Sequence, residues 1–352
     1  MHALPPLARF GGLVASDLRD VTSDAAALDS AGFWAVTADF EGRLLCARFG
    51  DVRREARPAP VPGRWHGPDA GGWISSMDRA AYTDGVRRIR EHIAAGEVYQ
   101  ANLCRVLTAP LPRYATADID ALAALLAQGN PAPYAGTVRL PAHGVEIATA
   151  SPELYLRRDG RTVESGPIKG TGRTADDLLE KDHAENVMIV DLVRNDLGRV
   201  AVAGSVTVPR LCAVEPHPGL VHLVSTVRAE LTPDTGWAAL LAATFPPGSV
   251  TGAPKSSALK IIETLETAQR GPYCGGIGWV DADRGTGELA VGIRTFWIDR
   301  TDPGGPVLRF GTGAGITWGS DPEREWEETE LKASRLLAIA SGTYRASGRT
   351  AS

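Results

Sequence analysis

Tyr134-Ala-Gly-Thr-Val-Arg-Leu-Pro-Ala-His-Gly-Val-Glu-Ile-Ala-Thr-Ala-Ser-Pro-Glu-Leu-Tyr-Leu-Arg157 reads as three short strands, 134–140, 145–150 and 153–157, with Pro- and Gly-bearing turns between them. Turns this short join antiparallel neighbours, because a parallel crossover needs a dozen or more residues. Outward from this stretch, strands are predicted at 98–107, 206–208, 220–227, 275–280, 289–298 and 308–313. Helices are predicted at 78–95, 116–128, 176–197, 238–244, 256–266 and 323–340. The class is therefore α+β with large antiparallel sheets, and no internal repeat is present.

In the helix over 78–95, Val86, Ile89 and Ile93 recur at helical spacing, and Gly96 stands at its C-terminal end. Between 176 and 197, Val187, Met188, Ile189, Val190, Leu192 and Val193 make the middle of the helix apolar on nearly all sides, which predicts burial. Residues 1–50 read as short strands and turns. The stretch 52–72 is rich in Arg, Pro and Gly and reads as a linker. The resulting division is a strand-rich N-terminal region with its linker (1–72), a catalytic domain (73–342) and a polar tail (343–352).

Apolar residues make up 43% and charged residues 22% of the 352, the balance of a chain that folds by itself. A net charge of -5 with no Lys/Arg block argues against nucleic acid as a partner. Cys46, Cys104, Cys212 and Cys274 are far apart and form no C-x-x-C pair, so neither a disulfide framework nor a zinc site is expected. The N-terminus lacks the pattern of a secretory signal and no stretch is apolar enough to span a bilayer, so a cytoplasmic location is expected.

Two acidic pairs sit on helices. Glu325, Glu328 and Lys332 share one face of the last helix, and Asp182 and Glu185 stand i, i+3 at the polar start of the 176–197 helix. Solvated ion pairs and helix-dipole complementation account for either pair alone. Together they offer the oxygen donors that a hard cation such as Mg²⁺ takes. Thr312-Gly-Ala-Gly-Ile316 would let backbone N–H groups approach an anion, as would the glycine-rich loop before Lys255. Pro254 excludes a nucleoside-triphosphate loop there. Glu153 and Lys169, each just past a strand, are a candidate acid and amine: a surface ion pair, or a general acid beside a desolvated nucleophile. Arg294 on an apolar strand needs an anionic partner if buried, and His222 reads as a hydrogen-bonded core histidine.

Taken in order, Gly96-Glu-Val-Tyr-Gln-Ala-Asn-Leu103, Ser151-Pro-Glu153, Pro167-Ile-Lys-Gly-Thr171, Lys181-Asp-His-Ala-Glu-Asn186, Val190-Asp-Leu-Val-Arg-Asn-Asp-Leu-Gly-Arg-Val200, His222-Leu-Val-Ser-Thr226, Gly248-Ser-Val-Thr-Gly-Ala-Pro-Lys255, Arg270-Gly-Pro-Tyr-Cys-Gly275, Ile293-Arg-Thr295 and the acidic helix resemble the chorismate-utilising enzymes. That family includes anthranilate synthase and aminodeoxychorismate synthase component I, isochorismate synthase and salicylate synthase. The resemblance covers about 78–340.

It implies a two-sheet α/β sandwich with the active site between its halves. It implies Mg²⁺ ligated by Glu185 and Glu328, with Asp182 and Glu325 holding metal-bound water. Tyr273, Arg294, Gly313 and Gly315 would grip the side-chain carboxylate of chorismate, Lys332 would hold the ring carboxylate, and His222, Thr251 and Thr171 would line the pocket. Water-adding members carry a lysine where this chain has Gln100, and an amide is no base near neutral pH. Lysine in the Pro-Ile-Lys-Gly-Thr motif is characteristic of the aminodeoxychorismate synthases. The resemblance therefore implies that Lys169 adds to C2 while Glu153 protonates the departing C4 hydroxyl, and that ammonia then displaces the lysine at C4. Ammonia would come from a separate glutamine amidotransferase, and a separate aminodeoxychorismate lyase would act downstream. Anthranilate synthesis is the nearest alternative, and a non-catalytic chorismate-binding subunit is one of another class. Ala314 within the usual glycine run and Gly319 before Ser320-Asp-Pro depart from the family pattern, as does the absence of the Leu-Glu-Ser segment that builds a tryptophan pocket.

Overall fold

The computed structural model describes residues 4–55, 65–112, 118–172, 174–178, 180–217 and 220–344. Six α-helices form where the sequence predicts them: α1 (Arg79–Ala94), α2 (Ile119–Gly129), α3 (Glu180–Gly198), α4 (Trp237–Thr244), α5 (Lys255–Leu265) and α6 (Pro322–Ala340). Their starts follow capping chemistry. The Asp78 carboxylate accepts the Ala81 N–H at 2.8 Å, and Asp321 accepts from Glu323 and Arg324 ahead of α6, with Pro322 in the first turn.

The opening triplet of strands is confirmed as Tyr134–Leu140, Val145–Ser151 and Leu154–Asp159. All strand pairings among the described residues are antiparallel, and they join eighteen strands into one continuous curled sheet. One half runs from Thr207–His217 through Leu220–Glu230, Thr162–Gly166, Leu154–Asp159, Thr286–Val291, Gly276–Asp281 and Phe33–Ala38 to Leu44–Arg54 and Leu13–Thr22. The Leu7–Phe10 strand then leads into the other half, Tyr134–Leu140, Val145–Ser151, Thr295–Asp299, Val307–Ile316 and Gln100–Pro110. Residues 7–54 thus lie in the middle of the ladder, bonded on both sides to strands of the 73–342 region. Of the expected linker, 56–64 lie outside the described residues, as do 345–352 of the expected tail.

Side chains on alternate strand positions build separate cores. Val36, Phe49, Ile277 and Leu289 of the first half meet Val106, Val138, Ile147 and Trp297 of the second, and Ile189, Val193 and Leu240 of α3 and α4 join them. On the outer face, Ile119, Leu122, Leu336 and Ile339 of α2 and α6 cover Phe296, Leu308 and Phe310. Tyr82, Val86, Ile89, Ile261 and Leu265 of α1 and α5 cover Leu103, Ala314 and Ile316. Each such aliphatic burial contributes roughly 1.5–3 kcal/mol.

Two expectations are corrected. Helix α3 is buried along one face only, through Asn186, Ile189, Val190, Val193, Asp196 and Leu197, and Val187 is 42% exposed, because the sheet covers a single side. The single strand expected over 289–298 is two, Thr286–Val291 and Thr295–Asp299. Between them Gly292-Ile293-Arg294 leaves the ladder, with Arg294 at φ 52°, so Arg294 stands in a turn and not on a strand.

Candidate functional site

Strand Val307–Ile316 lies beside Gln100–Pro110, with Gly311 opposite Val106, Gly313 opposite Cys104 and Gly315 opposite Asn102. Directly opposed residues point to the same face, so the three alternating glycines and Asn102 and Cys104 form one floor. Each glycine is required by a close approach. A Cβ at 311 would collide with the Tyr273 ring, one at 313 would lie 2.6 Å from Cys104 Sγ, and one at 315 would lie 3.0 Å from Lys169 Nζ. Ala314 points the other way, into the core under α1 and α5, so its methyl does not touch the floor. Gly311→Ala is expected to cost about 1–3 kcal/mol through overpacking. A lowered denaturant midpoint with an unchanged m-value checks it.

Lys169 is half-buried in the strand Ile168–Gly172, its amine over the Gly315 end of the floor. Gly170, at φ 81°, presses this strand against α3, where a Cβ would meet Asp182 Cβ at 2.9 Å. Glu153 is buried, and burial raises its carboxyl to about 7, even though a Ser249 hydrogen bond, the Lys169 charge and the Ile168 N–H all favour the ionised form. The buried Glu153 carboxyl thus lies within the electrostatic reach of the Lys169 amine.

Tyr273 and Arg294 are placed by two interlocked turns. The Cys274 N–H donates to the Gly292 carbonyl at 3.0 Å and the Gly292 N–H donates to the Gly275 carbonyl at 2.8 Å. Cys274 and Arg294 both hold left-handed backbone conformations, which non-glycine residues adopt only when the surroundings over-determine them. Burial lowers the Arg294 guanidinium below its ordinary value, and the Arg335 charge lowers it further. No acidic side chain among the described residues pairs with Arg294. Burial pushes the Tyr273 phenol well up, reinforced by Cys104 and Cys274.

The acidic pairs of α3 and α6 share one electrostatic neighbourhood. Burial raises Glu185; Lys169 and Lys181 oppose this, whereas Asp182 and Glu328 add to it. Burial also raises Glu325, which hydrogen-bonds Ser320 and feels Glu328. Burial would raise Glu328 too, but Lys332, Lys181 and Lys169 outweigh it and hold that carboxyl below its ordinary value. Lys332 is engaged, with Nζ 2.6 Å from Glu328 Oε1 and 3.1 Å from the Gly313 carbonyl. No three His, Cys, Asp or Glu side chains among the described residues converge as a metal cluster. The donor set still suits a hard cation: it is all carboxylate and drawn from two helices, and the Glu328 charge on one raises Glu185 on the other.

The remaining predicted residues are distributed around this centre. His222 is buried in Leu220–Glu230, with Thr171 and Glu215 on its two flanking strands. The Thr251 hydroxyl is turned onto its own loop, donating to the Pro247 and Gly248 carbonyls at 3.1 and 3.2 Å. Lys255, at the end of the glycine-rich loop, is bound to Asp196 at 2.6 Å and to the Thr244 carbonyl at 2.9 Å, so it is not an open anion site. Sequence reasoning missed Ser249 on Glu153, the Asn102 and Cys104 floor, and Lys181. Gln100 is fully buried with Nε2 at Gly315, and its Oε1 has no hydrogen-bond partner among the described residues.

Curated relatives carry two different names. The chain is 39% identical over 313 residues to anthranilate synthase component 1 of Streptomyces coelicolor, covering 83% of this chain and 59% of that one. It is 39% identical over 279 residues to aminodeoxychorismate synthase component 1 of Escherichia coli, covering 75% and 58%. The chain thus spans a little over half the length of these relatives. The crystal structure of anthranilate synthase component I from Streptococcus pneumoniae superposes with a TM-score of 0.77 at 21% identity, over 96% of this chain and 93% of that one, which shows the fold. Residues 35–338, which include the floor, Glu153, Lys169 and both acidic helices, match the family of chorismate binding enzymes, and to that family the chain belongs.

Proposed function

We propose that this chain aminates chorismate at C4 as an aminodeoxychorismate synthase component I, using ammonia from a separate glutamine amidotransferase. The observation that carries the reading is Lys169 Nζ over Gly315, its charge acting on a buried Glu153 carboxyl that burial raises to about 7. The Lys169 nitrogen adds to C2 of the ring; both ring double bonds shift by one position and the C4 hydroxyl leaves as water with the Glu153 proton. Ammonia then attacks C4, both double bonds shift back and the C2–N bond breaks, so that Lys169 departs as the amine. Arg294, a half-buried cation with no acid paired to it among the described residues, supports the side-chain carboxylate as its partner. Gly313 and Gly315 leave the floor open to it.

Glu185 and Glu328 would ligate Mg²⁺, with Asp182 and Glu325 holding its water molecules and Lys332 released to the ring carboxylate. The bound cation supplies electron withdrawal through that carboxylate. Chelation is expected to lower turnover by about 100-fold or more, with Mg²⁺ restoring it. Unchanged turnover after exhaustive chelation would refute the assignment. No described helix is long and apolar enough to cross a membrane, which suits the cytoplasmic setting we infer.

Relatives named for the C2-aminating and the C4-aminating reactions match equally well, so the product decides between them. The test is to incubate the purified protein with chorismate, Mg²⁺ and an ammonium salt, then identify the product by mass and by its conversion with added aminodeoxychorismate lyase. Anthranilate or isochorismate as the product overturns the reading.

A further inference from the structure

Against Glu153 lies a cavity of about 20 Å³ whose lining includes Glu153, Tyr155, Ser165, Asp196, Thr244 and Ser249. That volume admits one water molecule, and the lining offers the two to four polar partners a buried water needs. Asp196 bounds the cavity from α3. It holds Lys255 Nζ at 2.6 Å, and the same ammonium donates to the Thr244 carbonyl. The Lys255 side chain is 16% exposed and that of Asp196 is 8% exposed, so the pair reaches from the cavity to the edge of solvent.

We propose that Asp196 and Lys255 form the proton supply of Glu153, returning a proton to its spent carboxylate through one water in this cavity while substrate covers the floor. The inference rests on Glu153 acting as the proton donor. Each turnover spends one Glu153 proton on the departing hydroxyl. The cavity water gives a proton to the Glu153 carboxylate as it takes one from the Lys255 ammonium by way of Asp196, and Lys255 recovers its proton from solvent. Only O–H and N–H bonds are exchanged.

The electrostatics suit the task. Burial raises Asp196, opposed by Lys255 and Arg199, and burial lowers Lys255, opposed by Asp196, so the two share a proton more evenly than an exposed pair would. Tyr155 is the other titratable group beside Asp196. Lys169 is the charge facing Glu153. A purely structural tie here has no need of charge, because a buried ion pair is often matched in stability by apolar residues of similar volume.

The test compares wild type with Asp196→Asn and with the apolar double variant Asp196→Leu/Lys255→Met, which removes both charges together if the single variant fails to fold. The readouts are kcat, the KM for chorismate, the pH profile of kcat and the solvent deuterium isotope effect. The expected result is kcat lowered about tenfold or more with KM within about twofold, a larger solvent isotope effect and a shift of the limb on which turnover falls as pH rises. The proposal is overturned by a kcat near the wild-type value, or by a loss of kcat that leaves the isotope effect and pH profile unchanged. A wild-type protein that fails to consume chorismate sinks the functional reading itself, a separate outcome.

Discussion

Lys169→Ala is expected to abolish or redirect turnover of chorismate, with formation of the C4-aminated product falling by at least about 10³-fold, while chorismate binding changes by less than about threefold. The side chain lies over the floor at Gly315 and is only half-buried, so its removal opens space beside the substrate without emptying a core. What it removes is the nitrogen that must bond to C2. Ammonia attack at C4 follows that bond, so product formation falls and the dissociation constant does not. Titrating chorismate against intrinsic tryptophan fluorescence measures binding, and mass analysis measures product. Anthranilate from the variant would show the lysine to be what directs nitrogen to C4. Unchanged turnover to the same product would remove Lys169 from the chemistry.

Much of this site is legible in the sequence because its parts are local. The strand triplet at 134–159 follows from short strand-like stretches and the Pro- and Gly-bearing turns between them, and the end of α1 follows from Gly96. The acidic pairs follow from helical spacing. What the sequence conceals depends on long-range pairing. The strands Leu7–Phe10 and Leu13–Thr22 are held by partners more than 100 and about 30 residues away, Tyr134–Leu140 and Leu44–Arg54, and no local pattern shows that these partners exist. Gln100, Asn102 and Cys104 belong to the floor only because ten consecutive residues of Val307–Ile316 pair with their strand. The break at Arg294 is invisible in an apolar run, since it is imposed by hydrogen bonds from the 272–275 turn. The Lys332–Glu328 ion pair was legible as an i,i+4 spacing and forms as such. Its consequence for metal binding is a competition: a cation that takes Glu328 must displace an ammonium 2.6 Å away.

Glu153→Gln separates catalysis from stability through pH. The amide that replaces the carboxyl has no acidic proton to give up, so turnover is expected to fall by about 10²–10⁴-fold. In the wild type, turnover should decline as pH rises through about 7, where the carboxyl loses its proton, and the residual activity of the variant should lack that limb. Stability falls in the same direction of pH. Burial raises the folded-state value from 4.5 to about 7, so between those values the native protein holds a proton that the unfolded chain has released. Glu153 therefore favours the folded state in full below about pH 4.5 relative to alkaline conditions, and that advantage, on the order of 3 kcal/mol, is lost as pH rises to and through 7. The neutral amide carries no such slope. Urea unfolding at pH 5 and pH 8 should show wild type losing more stability than Glu153→Gln across the interval, and the difference between the two proteins isolates this one group from the other carboxylates. Equal slopes would mean that Glu153 ionises as an ordinary exposed acid. It could not then reach the departing hydroxyl still carrying a proton at neutral pH, and the Lys169 adduct at C2 would have no means of forming.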